Sequence, residues 1–244
     1  MEGLTGRALA RGSKGNTCEV LEVIRILAHK LSQPLTSMSG SVEVALMGEL
    51  DEAECRRVLE LSLQESHRMA ETLEVLRDVL EVEGSMEDIQ RVSWTQTVEA
   101  LLEKAAFDDK NCLPLLVSDV EDAVWVMANP QRLNVATSRL ISAAHKAARS
   151  RSVVRISLSA LGETACLAVC EEGASHHTET LKGFRTPPTA EMPLLGEVDK
   201  WIVQRAIERQ GGWSKISQGI ENCRYQLNLP LAVSEVARNP SLGK

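Results

Sequence analysis

The sequence predicts an α+β protein: an antiparallel helical hairpin, half of a dimeric four-helix bundle, followed by an α/β sandwich. Three observations predict it. Apolar residues recur at alternating steps of three and four over two stretches of about thirty residues, which is the period of a helical seam. After Gly84 this pattern gives way to short β-branched runs interleaved with helical ones. Aromatic residues are only 3% of the 244, which suits helices packed by Leu, Val and Ala.

The elements follow in order. Residues 1–17, rich in Gly and Arg, read as a flexible N-terminus. Residues 18–47 form the first helix, with Ile24, Leu27, Leu31, Leu35, Met38, Val42 and Ala45 on one stripe. Gly48-Glu49-Leu50-Asp51 reads as a turn, and Asp51 with Glu54 fits a capping box. Residues 52–83 form the second helix, striped by Leu59, Leu63, Met69, Leu73, Leu76 and Leu80, and Gly84-Ser85 stops it. Two long helices joined by a short turn make a hairpin whose seam is half exposed, and two copies close it. The hairpin spans 18–84.

Residues 90–232 form the sandwich. Helices are expected over 93–106, 130–150 and 199–210, the second with Asn129 as N-cap and Pro130 in first position, the third stopped by Gly211-Gly212. Strands are expected at 113–118, 123–127, 153–160, 165–170, 214–217 and 223–229, with Gly162 turning the central pair. Residues 171–196 read as loop, and 233–244 as a flexible tail.

Composition excludes several classes. A net charge of −7 and one Tyr and two Phe argue against a nucleic acid partner. No apolar run approaches the roughly 20 residues of a membrane span, and the N-terminus has no secretory h-region. Cys18, Cys55, Cys112, Cys166, Cys170 and Cys223 form no C-x-x-C pair and read as reduced packing thiols of a cytoplasmic protein. Cys166 and Cys170 share a strand face. No metal is expected.

The chemistry-bearing candidate is His29. Counting about 100° per residue, it lies opposite the apolar stripe, and Gln33 shares its face. Pro34 removes one backbone hydrogen bond and should bend the helix just beyond it. Helix geometry alone leaves a plain solvated histidine as the alternative.

The stretch His29-Lys30-Leu31-Ser32-Gln33-Pro34-Leu35 resembles the phosphoacceptor box of sensor histidine kinases, His-Glu-Leu-x-x-Pro-Leu. Further matches occur in the right order: Asn129-Pro130-Gln131-Arg132-Leu133, then Ile202-Val203-Gln204-Arg205 through Gly211-Gly212, then Tyr225-Gln226-Leu227-Asn228-Leu229-Pro230-Leu231. The resemblance covers about residues 18–232, and it implies a phosphoacceptor hairpin followed by an ATP-binding domain.

The chain departs from the family where ATP would be handled. The magnesium-binding Asn aligns with Ala143, which cannot ligate a metal; Ser142 and His145 are the polar neighbours. The adenine motif Asp-x-Gly-x-Gly becomes Glu171-Glu172-Gly173-Ala174-Ser175, which keeps a carboxylate at Glu171 and one glycine at Gly173. The Gly-Leu-Gly-Leu box aligns with Glu197-Val198-Asp199-Lys200, whose carboxylates repel phosphate. His176-His177 reads as lid rather than metal pair. Lys30 replaces the acidic residue that orients the imidazole, and it can attract a phosphoryl group instead. Gln33 stands where the family positions water.

Three readings follow from the resemblance. In the first, the chain is a homodimeric phosphotransfer protein in which His29, aided by Lys30 and Gln33, relays a phosphoryl group to and from a response-regulator receiver aspartate. In the second it is a weak or conventional cytosolic histidine kinase, the one reading that needs Mg-ATP as cofactor. In the third it is a non-catalytic scaffold for a response regulator, or for a hybrid or sensor kinase. The receiver is expected on the bundle below His29, at Met38, Val42 and Met47.

Overall fold

The computed structural model describes residues 6–48, 50–84, 88–108, 116–149, 153–172, 195–218 and 222–232. Gly173, His176, His177, the segment 233–244 and the first half of the expected strand 113–118 lie outside them. The chain divides into two compact units, Met1–Leu80 and Glu81–Lys244.

The first unit holds helix α1 (Gly6–Met47) and nearly all of α2 (Glu52–Glu83). Helix α1 begins at Gly6, twelve residues before the expected start at 18 and inside the stretch read as flexible. The physical reason is that adding a turn to an existing helix costs far less than nucleating one, so Ala8-Leu9-Ala10 extend the helix despite neighbouring glycines. The capping box forms as expected. Asp51 N–H donates to Glu54 Oε2 at 3.0 Å and Glu54 N–H donates to Asp51 Oδ1 at 2.8 Å, which ties down two amides that the helix itself leaves unpaired.

The single apolar stripe expected on α1 resolves into two. Val23, Leu27 and Pro34 are buried, with Met38 and Ala45 half-buried along the same line, whereas Leu35 is 51% exposed and Val42 39%. The outward stripe is strictly heptad-spaced: Leu21, Leu35 and Val42 on α1, and Leu59, Leu73 and Leu80 on α2, all exposed. One stripe per helix closes the hairpin; the other is left over.

The second unit carries β1 (Gln90–Ser93), α3 (Trp94–Asp108), β2 (Leu116–Val120), β3 (Trp125–Ala128), α4 (Pro130–Arg149), β4 (Val153–Leu161), β5 (Thr164–Glu172), α5 (Glu197–Glu208), β6 (Trp213–Gln218) and β7 (Asn222–Pro230). The expected helices and strands are present with ends shifted by a few residues. Strand β1 was not expected, because four residues with two charged or amide side chains carry no alternation to read. It pairs antiparallel with β3, Gln90 opposite Ala128. The main sheet runs β2-β4-β5-β7-β6, parallel only between β2 and β4.

The core of this unit lies between that sheet and α4 and α5. Along β4, Val154, Ile156 and Leu158 are buried while Arg155 is exposed and Ser157 half-exposed, the period-two signature of a half-covered sheet. Leu133, Leu140 and Ile141 of α4 and Ile202, Val203, Ala206 and Ile207 of α5 supply the other side. Asn129 Oδ1 accepts from Arg132 N–H at 3.0 Å, the expected N-cap of α4. Trp94 is fully buried, its Nε1–H donating to Thr137 Oγ1 at 3.0 Å. Two glycines are required by geometry. Gly211 closes α5 with φ +75°, and a Cβ on Gly212 would run into the Asn228 backbone carbonyl and lie 2.7 Å from Leu229 Cδ2 and 2.8 Å from Ile207 Cγ2.

Candidate functional site

Helix α1 runs without interruption through Pro34, which is itself buried. Two residues before it Ser32 Oγ donates to the Ala28 carbonyl at 2.9 Å, and Thr36 Oγ1 donates to the Ser32 carbonyl at 2.9 Å. Both hydroxyls bond back to carbonyls one turn earlier in the same helix.

His29, Lys30 and Gln33 are all exposed. His29 makes no side-chain hydrogen bond among the described residues, so both ring nitrogens are open to a partner. The nearest basic residue upstream on the same face, Arg25, is committed: its Nη2–H donates to Glu22 Oε1 at 2.6 Å, and that bond holds the Glu22 carboxyl below its ordinary range. Of the three residues expected to receive a partner, Met47 stands five full turns from His29 on the same line and is 85% exposed. Val42 is exposed but faces away with the outer apolar stripe, and Met38 is half-buried on the opposite side of α1. Met38 and His29 therefore lie on opposite sides of α1. The 3.6-residue period separates them, since nine residues is two and a half turns.

In the second unit some of the described positions that the resemblance assigns to nucleotide chemistry are packed or paired. Ala143 is 8% exposed and presents only a methyl group. Ser142 beside it is exposed. His145 is half-buried, with Nε2 shielded from solvent and without a hydrogen-bond partner among the described residues, because the helix turns it inward between Ala144 and the exposed Lys146. Glu171 lies near the end of β5, in register with Val154 of β4 and Cys223 of β7.

Helix α5 starts at Glu197 after Gly196, whose backbone is extended and which offers no side-chain cap. Glu197 and Asp199 occupy the first turn, where carboxylates complement the amide-rich helix end. Asp199 Oδ1 also accepts from Arg139 Nη1 of α4, a side chain 14% exposed. Sequence reasoning noted the carboxylates but missed Arg139, since nothing in spacing joins residues sixty apart.

A second ionic cluster was also missed. The last turn of α2, which belongs to this unit, is gripped by three arginines. Glu83 accepts from Arg205 Nε at 2.6 Å and from Arg209 Nη1 at 2.9 Å. The Gly84 carbonyl accepts from Arg132 Nη2 at 2.7 Å and Arg209 Nη2 at 3.2 Å. Guanidinium groups at a helix C-terminus satisfy free carbonyls and meet the negative end of the dipole. Burial and the adjacent Arg209 hold the Arg132 guanidinium below its ordinary pKa. The Arg132 and Arg205 positions belong to the motifs quoted above, but their shared target was not readable.

The architecture has solved relatives. The Acinetobacter baumannii histidine kinase AdeS matches with a TM-score of 0.53 at 19% identity, covering 83% of this chain and 98% of that one. The histidine kinase ThkA, solved in complex with the response regulator protein TrrA, matches with a TM-score of 0.66 at 13% identity, covering 94% of this chain and 67% of that one. The fold is that of a histidine kinase. At these identities the likeness is one of architecture, helical hairpin and α/β unit together. No family model and no curated protein matches the chain. Among the described residues no helix is long and apolar enough to cross a membrane, and no group of three or more metal-ligating side chains converges.

Proposed function

We propose that this chain is a homodimeric histidine phosphotransfer protein of two-component signalling. The observation that carries the reading is a contrast: His29 stands exposed with no side-chain hydrogen bond among the described residues, while in the second unit Asp199 at the start of α5 is paired with Arg139 of α4. Neutral imidazole attacks the phosphorus of a receiver aspartyl phosphate. The P–N bond forms, the P–O bond to the carboxyl breaks, and the aspartate leaves as carboxylate. Lys30 steadies the incoming phosphoryl oxygens, and Gln33 sits one turn on as a polar neighbour. Receivers bring their own acidic metal site, so the hairpin need supply little beyond the nucleophile. The solved complex of ThkA with the response regulator TrrA supports a receiver as the partner class. Exposed Val44 and Met47 border His29's line and suit its docking. The leftover heptad stripe supports a second copy of the chain as the other partner.

A weak kinase is the second reading, favoured by the carboxylate that Glu171 keeps at the end of β5. The test is to incubate the protein, free of nucleotide, with phosphorylated receiver domains encoded by the same genome. Acid-labile phosphate on wild type and none on His29→Gln is expected. Acid-labile phosphate that persists on His29→Gln overturns the assignment.

A further inference from the structure

We infer that the last turn of α2 is a clasp that ties this helix into the second unit, so that the joint between the two units lies inside α2 and not beyond its end. The inference does not depend on the phosphotransfer reading. Helix α2 is continuous from Glu52 to Glu83, yet the compact units divide between Leu80 and Glu81, so its last turn counts with the α/β unit. A helix end leaves its last carbonyls unpaired and is the part that frays first. This end is held by other elements instead. Val82 is fully buried, and the Glu83 carboxylate accepts from Arg205 Nε at 2.6 Å and Arg209 Nη1 at 2.9 Å. One residue on, the Gly84 carbonyl accepts from Arg132 Nη2 and Arg209 Nη2.

The donors come from two helices. Arg132 stands in the first turn of α4, Arg205 in the last turn of α5, and Arg209 at the C-cap of α5. Arg209 matters most, because its one planar guanidinium bonds both acceptors. The bonds to Glu83 are charge-assisted and their side chains are only 15–21% exposed, so solvent and salt screen them less than surface pairs. Farther back on α2 the Glu65–Arg68 and Arg68–Thr72 bonds stay within the helix. The helix also contains no glycine or proline to soften it. A partner that turns or tilts α2 must therefore carry α4 and α5 with it through Glu83 and Gly84, or break the clasp. Folding has the same coupling: the last turn of α2 opens only when the second unit opens.

Hydrogen exchange of the full chain, read peptide by peptide, tests this. Ile156→Val removes one methyl from the core side of β4, where Ile156 is fully buried, and leaves the clasp intact. It is expected to lower protection about three- to tenfold both in β5 and in residues 81–84, and to leave residues 58–76 of α2 unchanged. Arg209→Met, which keeps the aliphatic stem, is expected to lower protection at 81–84 by at least about tenfold more than in β5. Protection at 81–84 that follows residues 58–76 in Ile156→Val, or falls equally along all of α2, overturns the inference. So does an Arg209→Met chain whose residues 81–84 stay as protected as in wild type. Because Ile156→Val alone decides whether the turn belongs with the second unit, the inference stays testable if Arg209→Met does not fold.

Discussion

Two glycines, one in each unit, measure how differently the two halves of this chain are built. A Cβ added to Gly40 of α1 meets nothing within 4 Å, whereas one added to Gly212 runs into β7 and α5 at once. The same contrast holds for charge. Among the described residues His29 on α1 has no side-chain partner, while Arg139 and Asp199, and Glu83 with Arg205 and Arg209, are bound to one another. The described surface of α1 carries an exposed His29, whereas the described surface of the second unit is tied together by its own ion pairs.

The sharpest way to break that comparison is at His29. His29→Gln should abolish phosphoryl transfer altogether, read as loss of acid-labile phosphate, with thermal stability unchanged because the side chain is exposed and unbonded. Next is the leftover stripe. Leu35→Glu with Leu73→Glu places charge at two heptad positions that are 51% and 53% exposed in the single chain. Light scattering should then report a monomer where the wild type reports a dimer. If both species have the same mass, the stripe is not the seam.

How much of this was legible follows from where the information lies. The hairpin was readable because its signals are local: heptad steps, the Asp51–Glu54 box and Gly84 each act within a turn or two. The division of each apolar face into an inner and an outer stripe was not, since Leu27 and Leu35 look alike until the partner helix covers one of them. In the α/β unit Gly162 at φ +63° and the Asn129 cap could be read for the same local reason. The Arg139–Asp199 and Arg209–Glu83 pairs could not, because folding alone brings residues 60 and 126 apart into contact.

Smaller effects sharpen the contrast. Gly212→Ala should cost about 3 kcal/mol or more, because the new methyl runs into the Asn228 carbonyl of β7 as well as Leu229 and Ile207, so backbone must shift; urea unfolding of the full chain measures it. Glu83→Gln should cost about 1.5–3 kcal/mol, since two charge-assisted bonds from half-buried arginines lose their acceptor charge, and the same titration checks it. Gly40→Ala should do the opposite. With open space at the Cβ and a helical backbone, it should stabilise α1 by about 1 kcal/mol, seen as a raised midpoint for the hairpin transition.

The most direct measurement supplies phosphate to the purified protein from two sources in parallel, labelled Mg-ATP alone and labelled phospho-receiver without nucleotide, and follows label on His29. The account predicts label from the receiver and none from Mg-ATP, with both signals absent in His29→Gln. Label on His29 from Mg-ATP alone, with none from any receiver, would contradict it and make the chain a kinase.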